Sequence, residues 1–292
     1  MQPPEKVSLP RVVQNLWQAP AWRWFVLAAL LLLLSLAYTV LVTSGALDAS
    51  TARIEQWLLG RPITRVDCLF SEWRALGDPS IMLVFILLLG GVCLLLGYRW
   101  TVVPYLLILL AICLICEVVG KAVLTQPLPG PLDAGISSLN CPQLQNLPAS
   151  AQFSAAAGIW WKLPPYSPQL VEQIHQLARQ PYNFSGPVIE TSYPGGHAIR
   201  GSFVGVVAAW LCWRHIKRRA ARVPALVAVL VVCFSFGFMQ FYMGVHLVTD
   251  TLAGYLFGSA AACCAIGLLL LNGPRWRAQP APEIPSSASS VS

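Results

Sequence analysis

Long apolar runs alternate along this chain with short basic or polar breaks, and the run lengths set the first expectations. Trp24 to Thr43, Ser80 to Gly97, Thr101 to Gly120, Ala198 to Trp213, Pro224 to Met243 and Leu247 to Leu271 are each predicted to be a helix able to span a bilayer. Between the first two runs, residues 46–79 follow a different pattern. Ile54, Trp57, Leu58, Phe70, Trp73 and Leu76 recur at helical spacing, with Arg53, Glu55, Arg61, Arg65, Glu72 and Arg74 among them. That pattern predicts one or two amphipathic helices lying at the membrane interface, divided at Pro62. Residues 122–192 form a long connection rich in Pro, Ser, Gln and Asn, with a short surface helix expected at Pro168 to Arg179.

The expected fold class is all-α and integral to the membrane: a six-transmembrane-helix bundle with interfacial helices and a long extracytoplasmic loop at 122–192. Residues 1–22 read as a cytoplasmic N-terminal segment, 23–271 as the membrane domain, and 272–292 as a disordered cytoplasmic tail rich in Pro, Ser and Ala.

Composition agrees. Of 292 residues, 56% are hydrophobic and 11% charged, with a mean hydropathy of +0.63. A soluble domain cannot expose that much apolar surface. The net charge of +7 does not point to nucleic acid, because the basic residues sit in short clusters between apolar runs. The cluster Arg214, His215, Lys217, Arg218, Arg219 and Arg222 places its side in the cytoplasm. With six spans, the N-terminus, Arg99 and the tail share that side, and the plasma membrane is the expected location. Seven of nine cysteines lie in or beside apolar runs and read as small packing residues, including the pair Cys113 and Cys116. Cys68 and Cys141 lie in polar connections on the opposite side, so a disulfide between them is left open.

Candidate chemistry gathers on that opposite side. The stretch Phe241 to Gly258 carries His246 and Asp250 four residues apart, one helical turn. A carboxylate so placed can orient an imidazole for base or nucleophilic work, or the pair can simply cap a buried helix. Lys121 and His197 fall at the same expected depth, and ionisable groups there are costly unless they serve a site. Pro194, Gly195 and Gly196 precede a predicted helix start, whose free N–H groups suit an anion. His175 and His215 sit in polar surroundings and take no catalytic role.

Three stretches carry a resemblance: KAVLTQPLP from Lys121, PGGH from Pro194 and MQFYMGVHLVTD from Met239. In order and internal spacing they resemble the phosphatidic acid phosphatase type 2 superfamily, which also includes vanadium haloperoxidases and glucose-6-phosphatase. Its motifs are K-x6-R-P, P-S-G-H and S-R-x5-H-x3-D. The resemblance implies His246 as the nucleophile that takes the phosphoryl group, Asp250 orienting it, and His197 as general acid. It implies Lys121, with the backbone at Gly195 and Gly196, holding phosphate oxygens, and no metal or organic cofactor. The implied partner is a lipid phosphate or diphosphate drawn from the bilayer; oligomeric state is left open.

The departures fall on the phosphate clamp. Leu128 stands at the arginine of the first motif, Gly195 at the serine of the second, and Met239 and Gln240 at Ser-Arg of the third. Arg200, one turn after His197, is a candidate replacement; alternatively it pairs with Asp250, Glu190 or Glu117. Gln240 retains one neutral donor. The expected activity is therefore a lipid phosphatase, with an impaired headgroup-binding relative or a phosphotransferase as alternatives.

Overall fold

A computed structural model describes residues 21–59, 69–70, 73–124, 172 and 192–273. The expectations for the N-terminal segment, much of the second amphipathic helix, most of the long connection with its helix at 168–179, the tail, and Cys68 and Cys141 lie outside the described residues.

Seven α-helices occur among the described residues: α1 (Ala21–Thr43), α2 (Asp48–Leu59), α3 (Pro79–Leu95), α4 (Val102–Val123), α5 (Gly196–His215), α6 (Arg219–Tyr242) and α7 (Val248–Leu271). A short 3-10 turn, Arg74–Gly77, leads into α3. By length and composition α1, α4, α6 and α7 can cross a membrane. Helix α3 is apolar but only 17 residues long. Helix α5 has 20 residues and buries most of its length inside the bundle. The protein is an all-helical integral membrane protein.

The helix ends differ from the sequence expectation where local chemistry overrides hydropathy. Helix α6 begins at Arg219, so part of the basic cluster is helical and Pro224 lies inside its second turn. Proline lacks an N–H, but near a helix start few intrahelical donors are lost. Arg222 stacks on the Trp213 ring at 4.2 Å, which steadies that start. Helix α4 runs on to Val123, so Lys121 is in its last turn rather than beyond it.

Helix α5 is the central post, packed against α4, α6 and α7, while α1 packs along α7. Small residues make this possible. A side chain at Gly258 would strike the Ile199 carbonyl, and one at Gly237 would strike Ala198. Between helices in lipid such close backbone approach supplies van der Waals contact that hydrophobicity cannot. The core around α5 includes Phe203, Val207, Phe236, Ile86 and Leu106, all nearly inaccessible. Leu33, Val40, Leu88, Ile115, Val118 and Val231 face outward, as a lipid-facing belt requires.

One end of this bundle collects the polar residues. The last turn of α4, the first turns of α5 and α7, the end of α2 and the 3-10 turn meet there. Trp73 donates to the Ser235 hydroxyl at 2.7 Å, fixing the 3-10 turn against α6. Tyr193 and Thr39 join their hydroxyls at 2.7 Å, tying the approach to α5 onto α1.

Candidate functional site

His246 does not lie on a helix. It stands in a turn just before α7, whose N-cap is Leu247. Gly244 makes the turn with φ +70, a conformation that side chains disfavour. The Gln240 carbonyl accepts N–H groups from Val245 at 2.8 Å and His246 at 3.2 Å. The pairing of His246 with Asp250 is therefore set by this turn and not by one helical face. Asp250 is the third residue of α7, where its carboxylate accepts the Leu247 N–H at 3.2 Å and also faces the positive end of the helix.

The imidazole Nδ1 lies 3.6 Å from Asp250 Oδ2, close enough for electrostatic orientation but beyond a direct hydrogen bond. The same Oδ2 accepts the Ser192 hydroxyl. His246 Nδ1 and Asp250 Oδ1 are both buried without a hydrogen-bond partner among the described residues. With Nδ1 turned to the carboxylate, Nε2 is the nitrogen left for a ligand.

His197 is the second residue of α5, and its Nε2 meets Asp78 Oδ1 at 3.1 Å. Asp78 is the residue that precedes α3. Gly77 beside it lets the His197 ring approach closely. His197 lies within electrostatic reach of both Arg200 and His246. The starts of α5 and α7 thus bring the two histidines to the same end of the bundle.

The cationic side is a chain of ion pairs. Lys121 contacts Glu117 at 2.8 Å, and Glu117 also binds Arg200 through Nη1. Arg200 donates through Nε to the Gly77 carbonyl at 3.0 Å and is 2% exposed. Of the two described carboxylates weighed as its partner, Asp250 and Glu117, Glu117 is the one it engages; Glu190 lies outside the described residues. Gly196 makes room for this triad, since a side chain there would overlap the Glu117 carboxylate. The Gly195 N–H donates to the Asp250 carbonyl at 2.9 Å, so it ties α5 to α7 rather than pointing into a cavity. Gln240 is buried, with its side-chain Oε1 unpartnered among the described residues.

Three residues without a motif join the site. Asp78 holds His197, Ser192 holds Asp250, and Glu55 of α2 accepts the Val248 N–H at 3.0 Å. Glu55 is completely buried. Burial pushes its carboxyl up to about 8; the Val248 N–H opposes that shift and the Asp250 charge adds to it. The amphipathic pattern of 46–59 offered one signal, an acidic residue between Ile54 and Trp57, but periodicity alone does not say that it faces a helix start. No grouping of three His, Cys, Asp or Glu side chains suited to a metal occurs among the described residues.

A model of the PAP2 superfamily matches residues 101–273, well over half of the chain. Phosphatidylglycerophosphatase B of Bacillus subtilis (strain 168) is 33% identical over 73 residues, which are 23% of this chain and 34% of that protein. The aligned stretch thus spans about a third of that relative. The crystal structure of a transmembrane PAP2 type phosphatidylglycerolphosphate phosphatase from Bacillus subtilis superposes with a TM-score of 0.54. That match has 17% identity and covers 82% of this chain and 94% of the other, a likeness of fold.

Proposed function

This chain belongs to the PAP2 superfamily, and from that premise we propose that it is a membrane lipid-phosphate or lipid-diphosphate phosphatase working through a phospho-histidine intermediate. The observation that carries the reading is the convergence of His197, His246 and Asp250 at one end of the bundle, beside the Lys121–Glu117–Arg200 triad. His246 Nε2 attacks phosphorus while the bond from phosphorus to the lipid oxygen breaks. His197 gives its proton to that oxygen. Water then attacks the phospho-histidine, His197 takes a proton from it, and phosphate leaves with His246 restored. Asp250 stabilises the positive imidazole between the two steps.

The layout proposed with it has six spans, α1 and α3 to α7, inside a membrane domain of residues 23–271. Segments 1–22 and 272–292 lie in the cytoplasm, and the loop 122–192 and the site lie on the extracytoplasmic face. The basic run from Arg214 to Arg222 supports this orientation. A headgroup then reaches the site from the outer leaflet while its chains stay among the helices. A bilayer lipid is the partner, and no cofactor takes part.

A second reading has one observation in its favour. Arg200 is buried and held by Glu117, so its guanidinium is not free to replace a motif arginine. Bidentate arginine contacts to phosphate are strong, and their loss favours a protein that binds headgroups without turning them over. The deciding experiment is phosphate release from a panel of lipid phosphates and diphosphates by purified protein, beside His246→Ala. Release that the substitution abolishes supports the phosphatase. Retention of lipid phosphate by folded protein with no release supports the binding protein.

A further inference from the structure

Helix α2 turns its polar and apolar residues the opposite way from a helix that only lies on a membrane. Thr51, Glu55 and Leu58 follow one another at helical spacing and are buried, whereas Ile54 and Trp57 are 39% and 72% exposed. The carboxyl looks inward and the indole looks outward. An acid buried on an otherwise amphipathic helix breaks the local pattern, as residues kept for a site do. What it meets is the start of α7, against which α2 packs.

Two carboxyls divide the backbone donors of this corner. Glu55 Oε1 accepts the Val248 N–H at 3.0 Å, and Asp250 Oδ2 accepts the neighbouring Leu247 N–H at 3.2 Å. Asp250 Oδ2 also accepts the Ser192 hydroxyl and lies 3.6 Å from His246 Nδ1. Each carboxyl then has one oxygen left over. Glu55 Oε2 and Asp250 Oδ1 are both buried and without a hydrogen-bond partner among the described residues. Two ionised carboxylates in a dry corner are costly, because desolvation and mutual repulsion both oppose them. One proton removes the repulsion and makes one orphan oxygen a donor to the other. Asp250 has a hydroxyl, an N–H and an imidazole beside its charge, and Glu55 has one N–H, so the proton belongs on Glu55. Burial, with the Asp250 charge adding to it against the Val248 N–H, accordingly pushes the Glu55 carboxyl up to about 8. Besides His246, Tyr38 of α1 and Tyr193 before α5 lie within electrostatic reach of Asp250, and the Tyr193 hydroxyl is engaged with Thr39.

We propose that Glu55 is a positioning residue for the phosphoryl transfer: its protonated carboxyl donates to Asp250 Oδ1, directly or through one bridging water, and fixes that carboxylate behind His246. The assignment rests on the phosphatase reading above and adds a third member to the pair of His246 and Asp250. With both oxygens held, Asp250 keeps its place beside Nδ1, and the imidazole keeps Nε2 for phosphorus. Ionisation of Glu55 withdraws the donor and sets a second negative charge beside Asp250.

Infrared difference spectra of detergent-purified full-length protein, with Glu55→Gln as the reference, test the pair without reference to turnover. A carboxylic-acid C=O band should be present at pH 6 and should disappear as pH rises through about 8. In Asp250→Asn it should disappear roughly one pH unit lower, because the repelling charge is gone. A missing band in the unsubstituted protein, or a titration that Asp250→Asn leaves in place, would overturn the proposal. Kinetics, measured well below the unfolding temperature of each variant, test what the pair does. Glu55→Ala should lower kcat for a lipid phosphate about tenfold or more at pH 7 with KM within about twofold, and Glu55→Gln, whose amide donates to Asp250, should rescue it. Above pH 8 the ratio of kcat in the unsubstituted protein to kcat in Glu55→Gln should fall about tenfold per unit, a ratio in which the titration of His197 cancels. A flat ratio, or Glu55→Gln no better than Glu55→Ala, would refute the positioning role. If the unsubstituted protein hydrolyses no lipid phosphate, the phosphatase reading fails, and the infrared titration still decides whether Glu55 and Asp250 share a proton.

Discussion

Glu55 offers a test of how the first turn of α7 is held. Its side chain is completely buried, one oxygen accepts the Val248 N–H at 3.0 Å, and the other has no partner among the described residues. Its carboxyl titrates near pH 8 in the folded protein, against an ordinary value of 4.5. Between those two values the folded chain keeps a proton that the unfolded chain has released. Stability therefore falls as pH rises, by about 1.4 kcal/mol per unit, and the full contribution is present only below the lower value. From pH 5 to pH 8 the loss approaches about 4 kcal/mol. Glu55→Gln keeps a carbonyl oxygen for the Val248 N–H and cannot ionise. Thermal unfolding in detergent, followed by tryptophan fluorescence at pH 5, 6, 7 and 8, should show the unsubstituted protein losing stability more steeply than the variant. Glu55→Ala should be less stable than Glu55→Gln at every pH, since it leaves the N–H without its acceptor, a loss of roughly 1–3 kcal/mol. Parallel curves for the unsubstituted protein and Glu55→Gln would refute the reasoning, because they would mean that Glu55 is ionised in the folded state throughout.

Asp78→Asn should lower kcat for a lipid phosphate about tenfold, shift the pH profile and leave KM within about twofold, because the contact at Asp78 orients His197 and does not touch the headgroup. Glu117→Gln should destabilise the protein by roughly 3 kcal/mol in thermal or denaturant unfolding, since it leaves the buried Arg200 without its counter-charge. Gly196→Ala should fold poorly or displace Glu117, seen as loss of monodisperse protein on size exclusion, because the added carbon overlaps that carboxylate. Gly91→Ala in α3 is the control: nothing lies within 4 Å of the added carbon, and the melting temperature should rise as helix propensity gains roughly 0.5–1 kcal/mol.

The membrane character and the positions of the helices were legible in the chain, because long apolar runs bounded by basic residues have few other stable outcomes in water or lipid. That His197, His246 and Asp250 border apolar runs was legible too, since ionisable groups stand out in such surroundings. Their geometry was less so. The four-residue spacing of His246 and Asp250 looked like one helical turn, yet the turn at Gly244 brings them together from outside the helix. Spacing constrains which residues can meet, but backbone conformation decides how.

What the sequence determined by itself is the material of the protein: which runs are apolar enough to form helices inside a bilayer, how the basic residues cluster between them, and which few polar residues must find partners. Only the tertiary structure decided those partners. Arg200 is joined to Glu117, 83 positions away, His197 to Asp78, 119 away, and Val248 to Glu55, 193 away. Hydropathy and periodicity describe one helix and its faces. An ion pair between helix ends depends instead on which helices are neighbours and at what depth each stops, and that follows from the packing of small residues such as Gly237 and Gly258 along α5.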